Sequence, residues 1–266
     1  MSKTLDEINI IADYMKAPIS INDIAKKYDL CTVTISRVLR RNKIPLWTRQ
    51  DLFQGDMIVD YFENINTEIK AYFLGLFSAD GCVFITPSSK LFNIQLQEKD
   101  GYMIELIKNV IKFPRKIVVD KRDMSKSISV INNRFVDSLI NHSVCSGKFN
   151  RFMPDIRDDL IHHYIRGLFD GDGSILIRKT HSYRTSLRCT VVILAYLKQL
   201  CQIQEYLERT LNVSHLKFCN EGKDIFSLRF SSKKDFLSIT NFMYKDATVY
   251  LQRKYDKYIK AISYLS

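Results

Sequence analysis

The chain has 266 residues, 46% hydrophobic and 26% charged, enough for a buried core and unlike a disordered or fibrous protein. Forty basic against 29 acidic residues give a formal net charge of +11, an excess that favours a polyanionic partner, nucleic acid ahead of membrane. No apolar run reaches the length of a membrane span, and the N-terminus MSKTLDEINI lacks the apolar stretch of a signal peptide. The six cysteines (Cys31, Cys82, Cys145, Cys189, Cys201, Cys219) form no CxxC pair and no zinc spacing with histidine, and several lie in apolar runs, so they read as reduced core thiols of an intracellular, cytoplasmic protein.

The first element group is ISINDIAKKYDLCTVTISRVLRRNKIP. Ile24, Ala25 and Tyr28 form one helical stripe; Ile35, Val38 and Leu39 form a second. From Ala25, Asp29 falls four residues later, Ile35 ten and Val38 thirteen, the spacing of a helix-turn-helix with a small residue where the helices cross. Asp29 stands at the turn, where Asp tolerates a left-handed backbone better than most residues, and Thr32 is placed to cap the second helix. That helix turns Thr32, Thr34, Ser36, Arg37, Arg40 and Arg41 outward, hydroxyls and guanidiniums suited to a DNA major groove. The alternative is a helical hairpin with a solvated basic face. Pro45 ends the run. Residues 47–66 show no sustained period and read as a linker with apolar anchors at Trp47, Phe53 and Phe62.

Next comes YFLGLFSADG, Tyr72 to Gly81, and 92 residues later YIRGLFDGDG, Tyr164 to Gly173, identical at six of ten positions. Each copy ends a helical pattern. Ala71, Gly75 and Ala79 in the first, and Gly167 and Gly171 in the second, put small residues at four-residue spacing, which lets two helix backbones approach closely. Asn66 or Thr67, and later Asp158, are placed to cap. Asp80 and Asp172 then fall at helix C-termini, where the helix dipole disfavours a carboxylate by a few tenths to ~1 kcal/mol. If the helices pack side by side, the two acids also repel. Such a pair suits a hard divalent cation such as Mg²⁺. One copy alone would read as a plain turn after a helix.

The elements after each copy repeat as well. Strands are expected over 82–86 and 91–97, a helix over 102–111, strands over 116–120 and 127–132, and a short helix from Phe135. After Gly173 the order recurs: strands over 174–179 and 186–193, a helix over 198–211, strands over 215–219 and 225–230, and a closing helical region.

The two decapeptides at this spacing resemble the motifs of LAGLIDADG homing endonucleases of the single-chain, two-motif type. The resemblance covers Thr67 to the C-terminus, and the first copy departs from it at Ser78, where the second has Asp170. It implies an α+β fold of two αββαββα units with the motif helices at their interface and two antiparallel sheets forming a pseudo-twofold saddle for DNA. The expected organisation is an all-α helix-turn-helix module (1–46), a linker (47–66), a first repeat (67–155) and a second (156–266). The implied activity is site-specific double-strand cleavage that leaves short 3′ overhangs, as in homing of introns and other mobile elements. The implied cofactor is Mg²⁺ or another divalent cation such as Mn²⁺, held by Asp80, Asp172 and the carbonyls of Ala79 and Gly171. The resemblance also assigns a pocket lysine to each half, Lys254 and Lys148, and a water-organising residue to Glu98, whose mate falls near apolar Leu194.

DNA readout is expected from Lys90, Asn93, Gln95, Gln97, Lys121 and Arg122 in the first half. In the second it falls to Arg178, Lys179, Arg184, Arg188, Lys217 and Arg229. The expected partner is a long, asymmetric double-stranded site bound by a monomer, with no membrane. A non-cutting DNA-binding regulator and an RNA maturase share the fold and stand as alternatives. An intein is disfavoured, since the chain shows no terminal His-Asn.

Overall fold

A computed structural model of the chain describes residues 5–16, 19–47, 55–144, 151–179, 187–222 and 224–265. The chain divides into two compact units, Met1–Val59 with Lys108–Lys116, and Asp60–Ile107 with Ile117–Ser266.

In the first unit α1 (Leu5–Lys16), α2 (Ile21–Lys27) and α3 (Thr32–Arg41) bury Ile10, Tyr14, Ile24, Ala25, Ile35, Val38 and Leu39 together. Ser20 caps α2 by accepting from the Asp23 N–H at 3.1 Å. Asp29 has φ of 51°, the left-handed turn between α2 and α3, and the Leu30 N–H closes back on the Ala25 carbonyl at 2.9 Å. Thr32 does not cap α3. It is the first helical residue; Cys31 occupies the cap position without a side-chain bond, because its thiol meets the Thr34 hydroxyl at 3.1 Å instead. Trp47 belongs to this unit and not to a linker. Its N–H donates to Tyr14 Oη at 2.7 Å and its indole Nε1 to the Tyr14 carbonyl at 2.9 Å.

The second unit holds the duplication. Its first copy runs α4 (Glu68–Asp80), β1 (Gly81–Ile85), β2 (Lys90–Gln97), α5 (Tyr102–Val110), β3 (Val118–Asp120), β4 (Ser125–Ile131) and α6 (Asn133–Asn141). The second runs α7 (Asp158–Asp172), β5 (Ser174–Lys179), β6 (Leu187–Tyr196), α8 (Leu197–Leu211), β7 (Cys219–Gly222), β8 (Ile225–Phe230) and α9 (Lys233–Tyr244), closed by α10 (Gln252–Leu265). The sheets have orders β1-β2-β4-β3 and β5-β6-β8-β7, every described pairing antiparallel. Strand alternation sets their faces: Phe92, Ile94 and Leu96 on β2, and Cys189, Val191, Ile193 and Ala195 on β6, turn toward the helices and are buried. Phe62 is fully buried against Phe77 and Phe135, so the chain from Asp60 belongs to the first repeat's core.

Some boundaries differ from expectation. The strand expected over 215–219 begins at Cys219, and β6 continues to Tyr196 because its apolar run does not stop at Ile193. Arg157, not Asp158, occupies the cap of α7, and Thr67 caps α4 without a side-chain bond.

At the centre α4 and α7 lie against each other. A Cβ on Gly75 would stand 2.0 Å from the Tyr164 carbonyl oxygen, and one on Gly167 would stand 1.9 Å from that of Tyr72. The relation is reciprocal, glycine to tyrosine in both directions, as a twofold requires. No side chain larger than hydrogen fits at either point.

Candidate active site

The close crossing brings the C-terminal ends of α4 and α7 together. A Cβ on Gly171 would meet Ala79 Cβ at 2.3 Å and Asp80 Oδ2 at 3.0 Å, so the end of one motif abuts the carboxylate of the other. Asp80 is open to solvent, but desolvation by the chain packed around it pushes its carboxyl up from 3.8 to about 6, and the Asp172 charge adds to the shift. The same desolvation raises Asp172, which is also open to solvent, opposed by the charges of Arg151 and Lys254. Both acids therefore resist ionisation in a site with no cation.

Lys254 is 4% exposed. Its Nζ donates to the Phe169 carbonyl at 3.3 Å and to the Gly173 carbonyl, the two that flank Asp172 at the end of α7. Burial, then the neighbouring Arg253 charge, lowers its ammonium from 10.5 to about 8.

Lys254 reaches this place because the chain before it is fastened residue by residue. The Leu251 N–H donates to Asp170 Oδ2 at 2.7 Å, the Gln252 N–H to Tyr102 Oη at 2.7 Å, and Arg253 Nε to Asp100 Oδ2 at 2.8 Å. Asp170 is fully buried and also accepts from Tyr72 Oη at 2.9 Å and Tyr244 Oη at 2.6 Å. The start of α10 is thus pinned to both repeats. At the other motif, Arg151 donates from Nη1 to the Ser78 carbonyl, and its guanidinium lies 5.0 Å from the Tyr196 ring centroid.

Sequence reasoning brought Asp80, Asp172, Ala79, Gly171 and Lys254 to one place, and the fold does the same. It missed Asp100, Tyr102, Arg151 and Arg253. The signals were faint: Arg253 adjoins Lys254, and Arg151 lies three residues after Lys148 in the same segment. Lys148 and Arg184 lie outside the described residues. Glu98 is exposed and opens the short 3₁₀ turn after β2; Asp100 at that turn's end, not Glu98, is among the charges that act on Asp80. Leu194 is not its mate, since it sits within β6 opposite Ser227. Matching the hairpins by register, Gly81 opposite Ile94 and Ser174 opposite Val192, brings Leu197 to the position of Glu98.

The expected DNA-facing residues divide. Asn93, Gln95 and Gln97 lie on the sheet face away from the helices, as do Arg178, Arg188 and Arg229 in the second repeat. Lys90 does not: it shares the helix-side parity of Phe92, and its Nζ pairs with Asp137 of α6. Lys121 and Arg122 sit on the β3–β4 turn, with the Arg122 N–H on Asp120 at 2.9 Å. Lys179 is exposed at the end of β5, and Lys217 is exposed in the segment before β7. Arg229 is held by Glu221 at 2.7 Å. On α3, Thr32, Arg37 and Arg40 are exposed and Thr34 is half-buried, while Arg41 is tied to Glu7 of α1 at 2.6 Å.

Among solved structures, that of the I-LtrWI LAGLIDADG homing endonuclease bound to target DNA matches 78% of this chain and 93% of its own, with a TM-score of 0.53 and 13% identity. The I-SmaMI LAGLIDADG homing endonuclease bound to cleaved DNA matches 75% and 89% at 0.53 and 13%. The chain has the LAGLIDADG endonuclease fold. I-GzeII, a LAGLIDADG homing endonuclease in complex with its DNA target, matches 74% of this chain and 92% of its own at 0.53 and 12%. No family model and no curated protein sequence matches the chain. Asp80 and Asp172 thus end the two central helices of a LAGLIDADG fold.

Proposed function

We propose that the protein is a site-specific endonuclease that hydrolyses double-stranded DNA with Mg²⁺ or a similar divalent ion and leaves short 3′ overhangs. One observation carries the reading: two carboxylates, Asp80 and Asp172, both open to solvent, are held together at the ends of touching helices, where desolvation by the surrounding chain and mutual charge raise the proton affinity of Asp80. A fold does not gain stability from that arrangement.

The donor set suits a hard cation. It is all oxygen: the two carboxylates and the carbonyls of Ala79 and Gly171. Among the described residues no cluster of three or more His, Cys, Asp and Glu side chains stands ready to hold a metal alone. That fits Mg²⁺, which takes one or two carboxylates and keeps positions for water and substrate phosphate. When bound, the ion would activate water and stabilise the attacking and leaving oxygens of the phosphodiester.

The chain's own groups do the rest. Asp80 and Asp172 would hold the cation as ionised carboxylates. Lys254 holds positive charge at the Asp172 end of the pocket, beside the phosphate's developing negative charge. Arg253 and Arg151 add charge that draws the phosphate in. Asp170, Tyr102 and Asp100 keep Lys254 and Arg253 in place. Both motifs lie on one chain, so a monomer carries the whole site. The basic face of α3 supplies a second DNA contact on the same chain, which strengthens binding through effective concentration.

The test is incubation with a randomised duplex library in Mg²⁺ and sequencing of the ends. Enriched ends with a few bases of 3′ overhang support the reading. Asp80→Asn and Asp172→Asn should each abolish double-strand cleavage and leave binding near intact. If both single variants cut as well as the parent, the metal site is wrong. Binding without cutting by the parent protein would favour a regulator, and selective binding of RNA a maturase.

A further inference from the structure

The two sheet faces that would meet DNA are chemically opposite. On the second sheet, Arg178 and Arg188 stand directly across from each other on β5 and β6, and Arg229 follows on β8. Like charges in facing positions destabilise a sheet, and neither Arg178 nor Arg188 has an acid partner among the described residues. With Thr190, Leu176 and Ser231 these arginines line a depression of about 400 Å³. This face offers hydrogen-bond donors.

The first sheet's equivalent face carries no lysine or arginine. Its polar groups are Asn93, Gln95 and Gln97 on β2, with Ser129, Ser127 and Ser125 opposite on β4 and Asp120 beyond Ser125 on β3. Asn93 Nδ2 donates to the Ile128 carbonyl at 3.2 Å and to Ser129 Oγ at 2.9 Å. Gln95 Nε2 donates to Asp123 Oδ2 at 2.9 Å and Ser125 Oγ at 2.7 Å. The amide nitrogens of Asn93 and Gln95 are spent within the sheet, so their carbonyl oxygens are what a partner meets. Around them large apolar side chains lie open: Phe84 at 55% exposure, Val118 at 61% and Ile131 at 37%. This face offers acceptors and apolar surface.

Base edges in the major groove sort the same way. Guanine presents two acceptors, which suit arginine; adenine and cytosine each present an amino donor, and thymine alone adds a methyl group, so acceptors joined to apolar surface favour A·T pairs. We propose that the second repeat reads a guanine-bearing half-site through Arg178 and Arg188, with Arg229 held beside them by Glu221, and that the first repeat reads an A·T-rich half-site through the carbonyls of Asn93 and Gln95 and its apolar face. The inference rests on the reading of the protein as one that binds DNA through both sheets. It has a second consequence: guanidiniums also neutralise phosphates, so the second repeat carries most of the salt dependence of sheet binding.

The test uses the full chain with Asp80→Asn and Asp172→Asn, so that binding is selected without cutting, on a randomised duplex library in Mg²⁺. Selected sites should hold guanines in one half and A·T pairs in the other. Arg178→Gln and Arg188→Gln should each relax base preference by about tenfold in the guanine half alone. Each should also lower the slope of log K against log salt by about 0.9 for every phosphate it no longer neutralises. Asn93→Ala and Gln95→Ala should relax the other half alone and leave the slope unchanged. All four positions are on the sheet surface, and unchanged melting confirms that the variants fold. Guanine preference in both halves, arginine variants that loosen both halves or neither, or no enriched sequence at all overturns the proposal. If the predicted half-sites appear but the parent chain does not cut them in Mg²⁺, the endonuclease reading fails and the half-site assignment stands.

Discussion

Replacing Asp80 by Asn should make the metal-free protein more stable at neutral pH. The Asp80 carboxyl is held at about 6 in the folded chain against an ordinary 3.8, first by desolvation and then by the Asp172 charge. A folded state that grips a proton more tightly than the unfolded chain loses stability as pH rises between the two values, and above about 6 that loss is complete. Each tenfold difference in proton affinity is worth ~1.4 kcal/mol, but Asp80 is exposed and solvent screens much of that difference, so ionised Asp80 costs about 1 kcal/mol at pH 8. Asn has the same shape and no charge to desolvate. Thermal unfolding of the full chain in EDTA at pH 8 should show Asp80→Asn melting about 2–4 °C above the parent, the shift expected per kcal/mol for a domain of this size. At pH 4, where the carboxyl is protonated in the fold, the gap should close. Added Mg²⁺ should then raise the parent's midpoint and leave the variant's unchanged, because only the parent's carboxylate gains from the cation. A variant less stable than the parent at pH 8 in EDTA would refute the reasoning, since the carboxylate would then be supporting the fold.

Gly75→Ala or Gly167→Ala puts a methyl within about 2 Å of a carbonyl oxygen on the facing helix, so either should cost more than about 3 kcal/mol in urea unfolding. Asp170→Ala strands two buried tyrosine hydroxyls and the Leu251 N–H. It should cost about 3–5 kcal/mol, and Asp170→Asn clearly less, measured by the same unfolding curves. Lys254→Met should slow cleavage about 100-fold under single turnover while DNA affinity changes little. With the lysine's pKa near 8, the parent's rate advantage over this variant should shrink as pH rises past that value. Arg37→Gln with Arg40→Gln should lower the slope of log K against log salt by about 0.9 for each phosphate left without its arginine, read by DNA binding across a salt series.

Local periodicity made much of the fold legible. Alternation of Phe92, Ile94 and Leu96 announces a half-buried strand, and the Gly75 and Gly167 faces announce a close helix crossing, because each signal lies within a few residues. The fastening of α10 is different in kind. Arg253 meets Asp100 across 153 residues and Gln252 meets Tyr102 across 150, and nothing near either end of those bonds marks the other. Lys90 shows the opposite failure. Its parity with Phe92 and Ile94 places it on the helix side, but a basic residue next to outward amides invites assignment to the same face. Trp47 read as a linker anchor because its partner, Tyr14, lies 33 residues earlier on α1.

The two motif copies differ at four of ten positions, and two of those differences are electrically matched. The second copy has Arg166 and Asp170, one helical turn apart; the first has Leu74 and Ser78 at the same places. Arg166 is fully buried, with Nη2 on Glu68 at 2.7 Å and the charge of Asp170 also favouring its cationic form. A buried guanidinium without nearby acids, or a buried carboxylate without nearby cations and donors, would be strongly destabilising. The first copy drops both charges together. Ser78 is too short to take the place Asp170 has with Tyr72, and Gln199 of α8 bridges the gap, donating to Ser78 Oγ at 3.1 Å and to Tyr164 Oη at 2.6 Å. Each motif helix thus anchors the other's tyrosine, once through a charge and once through a neutral amide. Ser78 is therefore not a weakened copy of the motif. With Asp80, Asp172 and Asp100 already in one another's field, a further acid at 78 would add repulsion beside Asp80, and the neutral serine keeps the interface without it.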